Sequence, residues 1–131
     1  MNRPKKCLLI DDDQDDQEIF MIALNQSNTG VKCDIEGNGL SGLDRLDKNP
    51  GDVPDFIFLD LNMPGMNGKQ CLVEIRKRPF LKAVPVIIYS TSSVPDEVID
   101  TKALGAVDFI TKPPSVTQLA EILNDFFRKH Q

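Results

Sequence analysis

Short apolar runs alternate along this chain with longer stretches in which apolar residues recur at helical spacing. Cys7-Leu8-Leu9-Ile10 is continuous, which reads as a strand covered on both faces. Residues 15–28 follow with Ile19, Phe20, Ala23 and Leu24 on one stripe, predicting an amphipathic helix that ends near Gly30. Residues 31–36 alternate apolar and polar, as a half-exposed edge strand does. Leu40, Leu43 and Leu46 then mark a second helix, stopped at Asn49-Pro50-Gly51. Phe56-Ile57-Phe58-Leu59 is the most hydrophobic strand candidate and is closed by Asp60; a turn at Met63-Pro64-Gly65 precedes a third helix around Leu72 and Ile75. Residues 84–89 predict a fourth strand, with Pro85 near its start, where a missing N–H is tolerable. Residues 96–104 predict a fourth helix closed by Gly105, residues 107–110 a short fifth strand, and residues 115–128 a last helix capped by Ser115.

Five strands and five helices in strict alternation demand a parallel sheet with helices on both faces, because each right-handed crossover is covered by its own helix. The expected class is therefore α/β, doubly wound in three layers. In such a sheet ligands bind beyond the carboxyl ends of the strands, so chemistry is expected there. A length of 131 residues suits one domain, residues 1–131, and no linker, repeat or low-complexity tract divides it.

Composition narrows the choice of function. Fifteen Lys and Arg against twenty Asp and Glu leave a net charge of −5, with 40% hydrophobic and 27% charged residues, the balance of an ordinary soluble globule. The acidic excess argues against nucleic acid as a direct partner, since a phosphate backbone is bound through Lys and Arg. No apolar run approaches the roughly 18–20 residues that cross a bilayer, and the N-terminus lacks a signal peptide's apolar stretch, so a cytoplasmic protein without a membrane partner is expected. Cys7, Cys33 and Cys71 are too widely spaced for a C-x-x-C site and read as buried small residues. The one histidine, His130, adjoins no candidate nucleophile, which disfavours a His-dependent hydrolase.

The predicted strand ends carry a distinctive set of residues. The first ends in Asp11-Asp12-Asp13, the third in Asp60, the fourth in Ser90-Thr91, and the fifth leads to Lys112-Pro113. Carboxylates brought this close repel one another unless a cation sits between them, and oxygen-only donors suit Mg²⁺. A lysine facing them can hold an anion and a hydroxyl can donate to it. Together these groups make a phosphoryl site in which Asp60 can be the nucleophile. Singly, each has a plainer reading: Asp13, Asp15 and Asp16 as helix caps or solvated acids, Lys112 as a surface charge, Ser90 as a loop hydroxyl.

The runs Leu8-Leu9-Ile10-Asp11-Asp12, Phe58-Leu59-Asp60-Leu61-Asn62-Met63-Pro64-Gly65-Met66-Asn67-Gly68, Pro85-Val86-Ile87-Ile88-Tyr89-Ser90-Thr91 and Gly105-Ala106-Val107-Asp108-Phe109-Ile110-Thr111-Lys112-Pro113 stand in the order and spacing of a known family. From about Lys5 to Lys129 the chain resembles the response-regulator receiver domains of two-component signalling. The resemblance implies a flavodoxin-like (βα)5 fold with strand order 2-1-3-4-5; because the sequence stops at Gln131, just after the last helix, no output domain is expected. It further implies that Asp60 accepts a phosphoryl group from a sensor histidine kinase or a histidine phosphotransfer protein. Mg²⁺ would be held by Asp12, Asp60 and the main-chain carbonyl of Asn62, with Asp11 acting mostly through water. Lys112 would pair with Asp60 and then with the phosphate, Ser90 would donate to a phosphate oxygen, and Phe109 takes the place of the switch aromatic. A cis bond between Lys112 and Pro113 is also implied. The protein would then be a phosphoacceptor, with self-phosphorylation and slow self-dephosphorylation as its only catalysis.

The chain departs from the family's usual pattern at several points. Ser90 stands where Thr is common, Phe109 where Tyr is frequent, and Thr91 is bulkier than the usual Ala or Gly. The segments 47–54 and 78–84 are longer than in the shortest members, which is similar to stand-alone receivers of the phytochrome-associated type. Two alternatives have specific residues behind them. Asp60-Leu61-Asn62 resembles the D-x-D motif of aspartyl-phosphate phosphatases, but lacks the second acid that would protonate a leaving group. Gly37-Asn38-Gly39-Leu40-Ser41-Gly42 fits G-x-G-x-x-G, the mark of a dinucleotide site, but follows the weakly apolar second strand rather than a central one. Finally, Leu119, Ile122, Leu123, Phe126 and Phe127 offer the last helix more apolar surface than one face needs, which leaves a homodimer open beside the favoured reading of core packing.

Overall fold

The structure, a computed structural model, describes residues 5–91 and 94–130. The elements are β1 (Lys6–Ile10), α1 (Gln14–Gln26), β2 (Lys32–Glu36), α2 (Gly39–Lys48), β3 (Phe56–Leu59), α3 (Gly68–Arg76), β4 (Val86–Ser90), α4 (Pro95–Ala103), β5 (Asp108–Thr111) and α5 (Val116–Lys129). The strands form one parallel sheet in the order β2-β1-β3-β4-β5, the flavodoxin-like arrangement. Each apolar run therefore became a strand flanked by helical layers. β3 and β4 are buried throughout, as central strands covered on both faces must be.

Alternation along the strands divides the core in two. Leu8, Ile10, Ile57, Leu59, Val86 and Ile88 face α2 and α3, where Leu43, Leu72 and Ile75 meet them. Leu9, Phe58, Ile87 and Tyr89 face α1 and α5. There Phe20 lies 5.1 Å from Phe58 and 5.4 Å from Tyr89, ring centre to ring centre, and Phe126 lies 5.7 Å from Phe58. Tilted and edge-on ring pairs of this kind add to the burial of their area. Leu119, Leu123, Phe126 and Phe127 are all buried in this layer, and Ile122 packs against it. The surplus apolar surface expected on the last helix is thus taken up by packing inside the chain, the favoured reading.

The structure corrects other expectations. Leu40 is 66% exposed, because the core stripe of α2 runs through Gly39, Gly42, Leu43 and Leu46 instead. A Cβ on Gly42 would lie 2.6 Å from Ile10 Cδ1, and one on Gly39 3.1 Å from Met66 Sδ. Those glycines let α2 lie close to its neighbours, and Asn38 caps the helix through Ser41 N–H at 2.8 Å. Gly39 and Gly42 therefore serve close packing against Met66 and against Ile10 of β1. Cys33 is half-buried, because β2 is the edge of the sheet, whereas Cys7 and Cys71 are buried as expected. A short 3-10 turn, Pro79–Leu81, precedes β4 and was not foreseen. β4 starts at Val86 because Pro85 can only accept, taking a bond from Ile57 N–H at 3.0 Å. No helix among the described residues is long and apolar enough to cross a membrane.

The loop after β3 is fixed by a reciprocal cap on α3. Asn67 Oδ1 accepts from Gln70 N–H at 2.9 Å, and Gln70 Oε1 accepts from Asn67 N–H at 2.9 Å. Substituting Asn67→Ala removes the first of these bonds and is expected to cost about 1 kcal/mol. Urea denaturation is expected to show a lower midpoint with an unchanged slope; an unmoved midpoint would mean that the cap contributes nothing.

Candidate functional site

The carboxyl ends of β1, β3, β4 and β5 bring distant residues to one rim of the molecule. Asp11 extends β1, its N–H bonded to Glu36 O at 3.1 Å, and is fully buried. Its Oδ1 accepts from Asp13 N–H at 3.0 Å, and its carbonyl accepts from Gln17 Nε2 at 2.6 Å. Asp60 extends β3 in the same manner, donating its N–H to Ile10 O at 3.0 Å, and is 5% exposed. Asp12, Asp11 and Asp60 each offer a carboxylate oxygen within 4.8 Å of the others, with only Asp12 exposed.

Lys112 closes the cluster from β5. Its N–H donates to Ser90 O at 2.7 Å, which prolongs the β4–β5 ladder and seats the lysine beside Ser90, itself fully buried. Its Nζ lies 2.9 Å from Asp11 Oδ2, 2.7 Å from Asp16 Oδ2 and 3.6 Å from Asp60 Oδ2, over the Tyr89 ring at 5.1 Å. The expected pairing with Asp60 is present, but at ion-pair rather than hydrogen-bond distance. The expected cis bond is not: the described residues contain no cis peptide, and Lys112 reaches its carboxylates with the intrinsically favoured trans bond to Pro113.

The other expected site residues lie around this centre. Asn62 N–H is 3.4 Å from Asp60 Oδ1. Phe109 is half-buried against the α2–α3 layer and lines a hollow together with Val98, Thr101 and Ala106. Asp13 is the N-cap of α1, its side chain accepting from Asp16 N–H at 3.0 Å, in agreement with the plainer reading. Asp16 departs from the plainer reading of a cap or solvated acid, since its carboxylate pairs with Lys112. The cap at Asp13 fixes where the first turn of α1 begins, and with it which acid turns back toward the rim.

Charge and burial act against each other here. Burial pushes the Asp60 carboxyl up to about 6; Lys112 pulls it down, while Asp11 and Asp12 push it up further. Asp11 is also raised, chiefly by burial, with Lys112 opposing. Burial disfavours the Lys112 ammonium, yet hydrogen bonds to Asp16 and Asp11 hold its pKa above the ordinary lysine value. Three crowded carboxylates, two of them resisting ionisation, fit a hard divalent cation: Asp11, Asp12 and Asp60 would hold it, and Mg²⁺ accepts such oxygen donors.

A stability consequence follows. Because the folded-state pKa of Asp60 is raised from 3.8, the native state binds the proton more tightly than the unfolded chain does. Asp60 thus lowers stability as pH rises through the window from about 4 to about 6, by roughly 3 kcal/mol in total without metal. Carboxyl-detected NMR is expected to find Asp60 titrating near 6, moved downward by added Mg²⁺. A midpoint near 4 in metal-free protein would contradict this.

Sheet order, acidic rim and opposed lysine together define a class. Residues 7–124 match the family model of the response regulator receiver domain, and the chain belongs to that family. It is 31% identical over 127 residues to the response regulator Rcp1 of Synechocystis sp., covering 93% of this chain and 86% of that protein. Among solved structures it resembles the phosphorylated cyanobacterial phytochrome response regulator RcpA, with a TM-score of 0.85 and 30% identity, covering 95% of this chain and 91% of that one. The Mn²⁺-bound form of Rcp1 superposes with a TM-score of 0.81 at 29% identity, covering 94% of this chain and 91% of that one.

Proposed function

We propose that the chain takes a phosphoryl group onto Asp60 from a phosphohistidine on a sensor kinase or phosphotransfer protein and signals by changing its affinity for another protein. The observation that carries this reading is the lysine ammonium set among Asp11, Asp16 and Asp60 on a rim where Asp11, Asp12 and Asp60 also converge. In the transfer an Asp60 carboxylate oxygen forms a bond to phosphorus. The phosphorus–nitrogen bond of the donor breaks, and its electron pair stays on the imidazole. Asp11, Asp12 and Asp60 would hold a divalent ion, which would supply positive charge to the phosphoryl oxygens. Lys112 offers a further positive charge, and the Ser90 hydroxyl donates to one oxygen. Asn62, two residues beyond the acceptor, carries no acid or base to drive hydrolysis, which supports a lasting acyl phosphate over phosphatase turnover. The resemblance of the fold to a phosphorylated and to a Mn²⁺-bound regulator supports the same reading.

Output would follow from Ser90 moving toward the phosphate and Phe109 turning inward into the hollow beside α4, a population shift of about 1–3 kcal/mol. With Phe rather than Tyr, only burial of the ring can differ between the two states. Incubation with Mg²⁺ and acetyl phosphate tests the acceptor: one acid-labile phosphoryl group per chain is expected, located at Asp60 by peptide mass spectrometry. Rapid release of many phosphates per chain would favour the phosphatase, and absence of label would end the proposal.

A further inference from the structure

Lys112 faces three carboxylates, and the one it approaches most closely lies outside the phosphoacceptor cluster. Asp16 Oδ2 is 2.7 Å from Nζ, against 2.9 Å for Asp11 and 3.6 Å for Asp60. We propose that Asp16 is a positioning residue that acts through Lys112: its carboxylate draws the ammonium off Asp60 in the unphosphorylated protein and must yield it to an arriving phosphoryl group. This rests on the receiver reading above and adds to it a residue of α1 that regulates the pocket.

The geometry gives the competition a direction. The Lys112 side chain is only 7% exposed, so it has little solvent to turn to and shares its charge among the acids and the Tyr89 ring. Asp11 is held on three sides, by Asp13 N–H, by Gln17 through its carbonyl, and by Lys112, and is fully buried. Asp16 and Asp60 are therefore the two ends between which the ammonium is divided. Coulomb attraction falls with distance, so the charge belongs mainly to the Asp11–Asp16 side. That placement leaves Asp60 with less of its neutralising partner, and so favours a metal cation there. An anion on Asp60 reverses the balance and pulls the ammonium across. Asp16 is 28% exposed at its side chain and sits on the first turn of α1, so a partner touching that turn can reach the pair.

Asp16→Asn keeps the shape and an acceptor but removes the charge. Freed toward Asp60, Lys112 is expected to weaken Mg²⁺ binding and to strengthen beryllofluoride binding at saturating Mg²⁺, each by about three- to tenfold. Loss of any negative charge would push both affinities in those directions, so Asp15→Asn is the control. Asp15 lies one residue away on the same turn, is exposed, and is not among the three carboxylates that ion-pair with Lys112. It should shift either affinity less than twofold, and Asp16→Glu should restore most of the wild-type balance. A lysine ¹⁵Nζ resonance of Lys112 that moves in Asp16→Asn and not in Asp15→Asn locates the effect. A misfolded variant would lose affinity for both ligands, and the opposed shifts exclude it. Asp16→Asn indistinguishable from Asp15→Asn, or losing both ligands together, overturns the role of Asp16. Wild-type protein that binds no beryllofluoride overturns the receiver reading and this inference with it.

Discussion

Replacing Asp60 with Asn is expected to abolish phosphoryl labelling, lowering it at least a hundredfold, while making the folded protein more stable. Both effects come from one atom. The amide has no anionic oxygen to attack phosphorus, so neither acetyl phosphate nor a phosphohistidine can transfer to it. The same change removes a buried carboxylate whose pKa stands at about 6, crowded by Asp11 and Asp12, so an ionisation cost disappears at neutral pH. Lys112 keeps Asp11 and Asp16 at hydrogen-bond distance and is not orphaned. Thermal unfolding in chelator should therefore show a higher midpoint for Asp60→Asn than for wild type at pH 7, with the difference vanishing near pH 4. Label surviving in the variant would require another acceptor. A lower midpoint would mean that the Asp60–Lys112 attraction outweighs burial and repulsion.

Gly68→Ala is expected to be the most damaging single methyl in the chain. A Cβ at position 68 would lie 2.3 Å from Asp60 O and 2.6 Å from Leu61 Cα, both of them backbone atoms that cannot swing aside. Gly68 N–H also donates to Leu61 O at 2.9 Å, so the helix start cannot simply retreat without losing that bond. Overpacking against main chain should cost about 2–4 kcal/mol and displace the carbonyl of the acceptor residue itself. Denaturant unfolding should show the loss, and the labelling rate at Asp60 should fall with it. Gly51→Ala is the comparison, since nothing lies within 4 Å of a Cβ there and little change is expected. If both variants unfold alike, the close approach of Gly68 to β3 is not what requires glycine.

Much of this molecule is written in residue pattern. Each fully apolar run became a buried strand, and the acids after Ile10 and Leu59 came to one rim because parallel strands place all their carboxyl ends on the same side. What escaped has physical reasons. A three-residue spacing such as Leu40, Leu43 and Leu46 cannot tell two adjacent faces of a helix apart, so Leu40 was assigned to the core and stands in solvent. The turn Pro79–Leu81 is too short to carry a period. Asp16 looked like any acid in a first helical turn, where the helix dipole alone accounts for it. Its partner lies 96 residues away, a distance that only the assembled sheet closes. The isomer at Lys112–Pro113 was carried over from the family resemblance and not from any local signal.

Opposite the acidic rim, Arg76 donates to Gly105 O at 3.2 Å, Leu81 O at 3.1 Å and Val84 O at 2.9 Å, joining α3 to the segments that lead into β4 and β5. Its charge thus faces three backbone carbonyl dipoles, and among the described residues no carboxylate pairs with it. Those dipoles do not titrate, cannot be drawn away by a rival anion, and are little screened by salt. Where the acidic rim rests on a balance of opposed charges, the junction at the other end rests on main-chain acceptors.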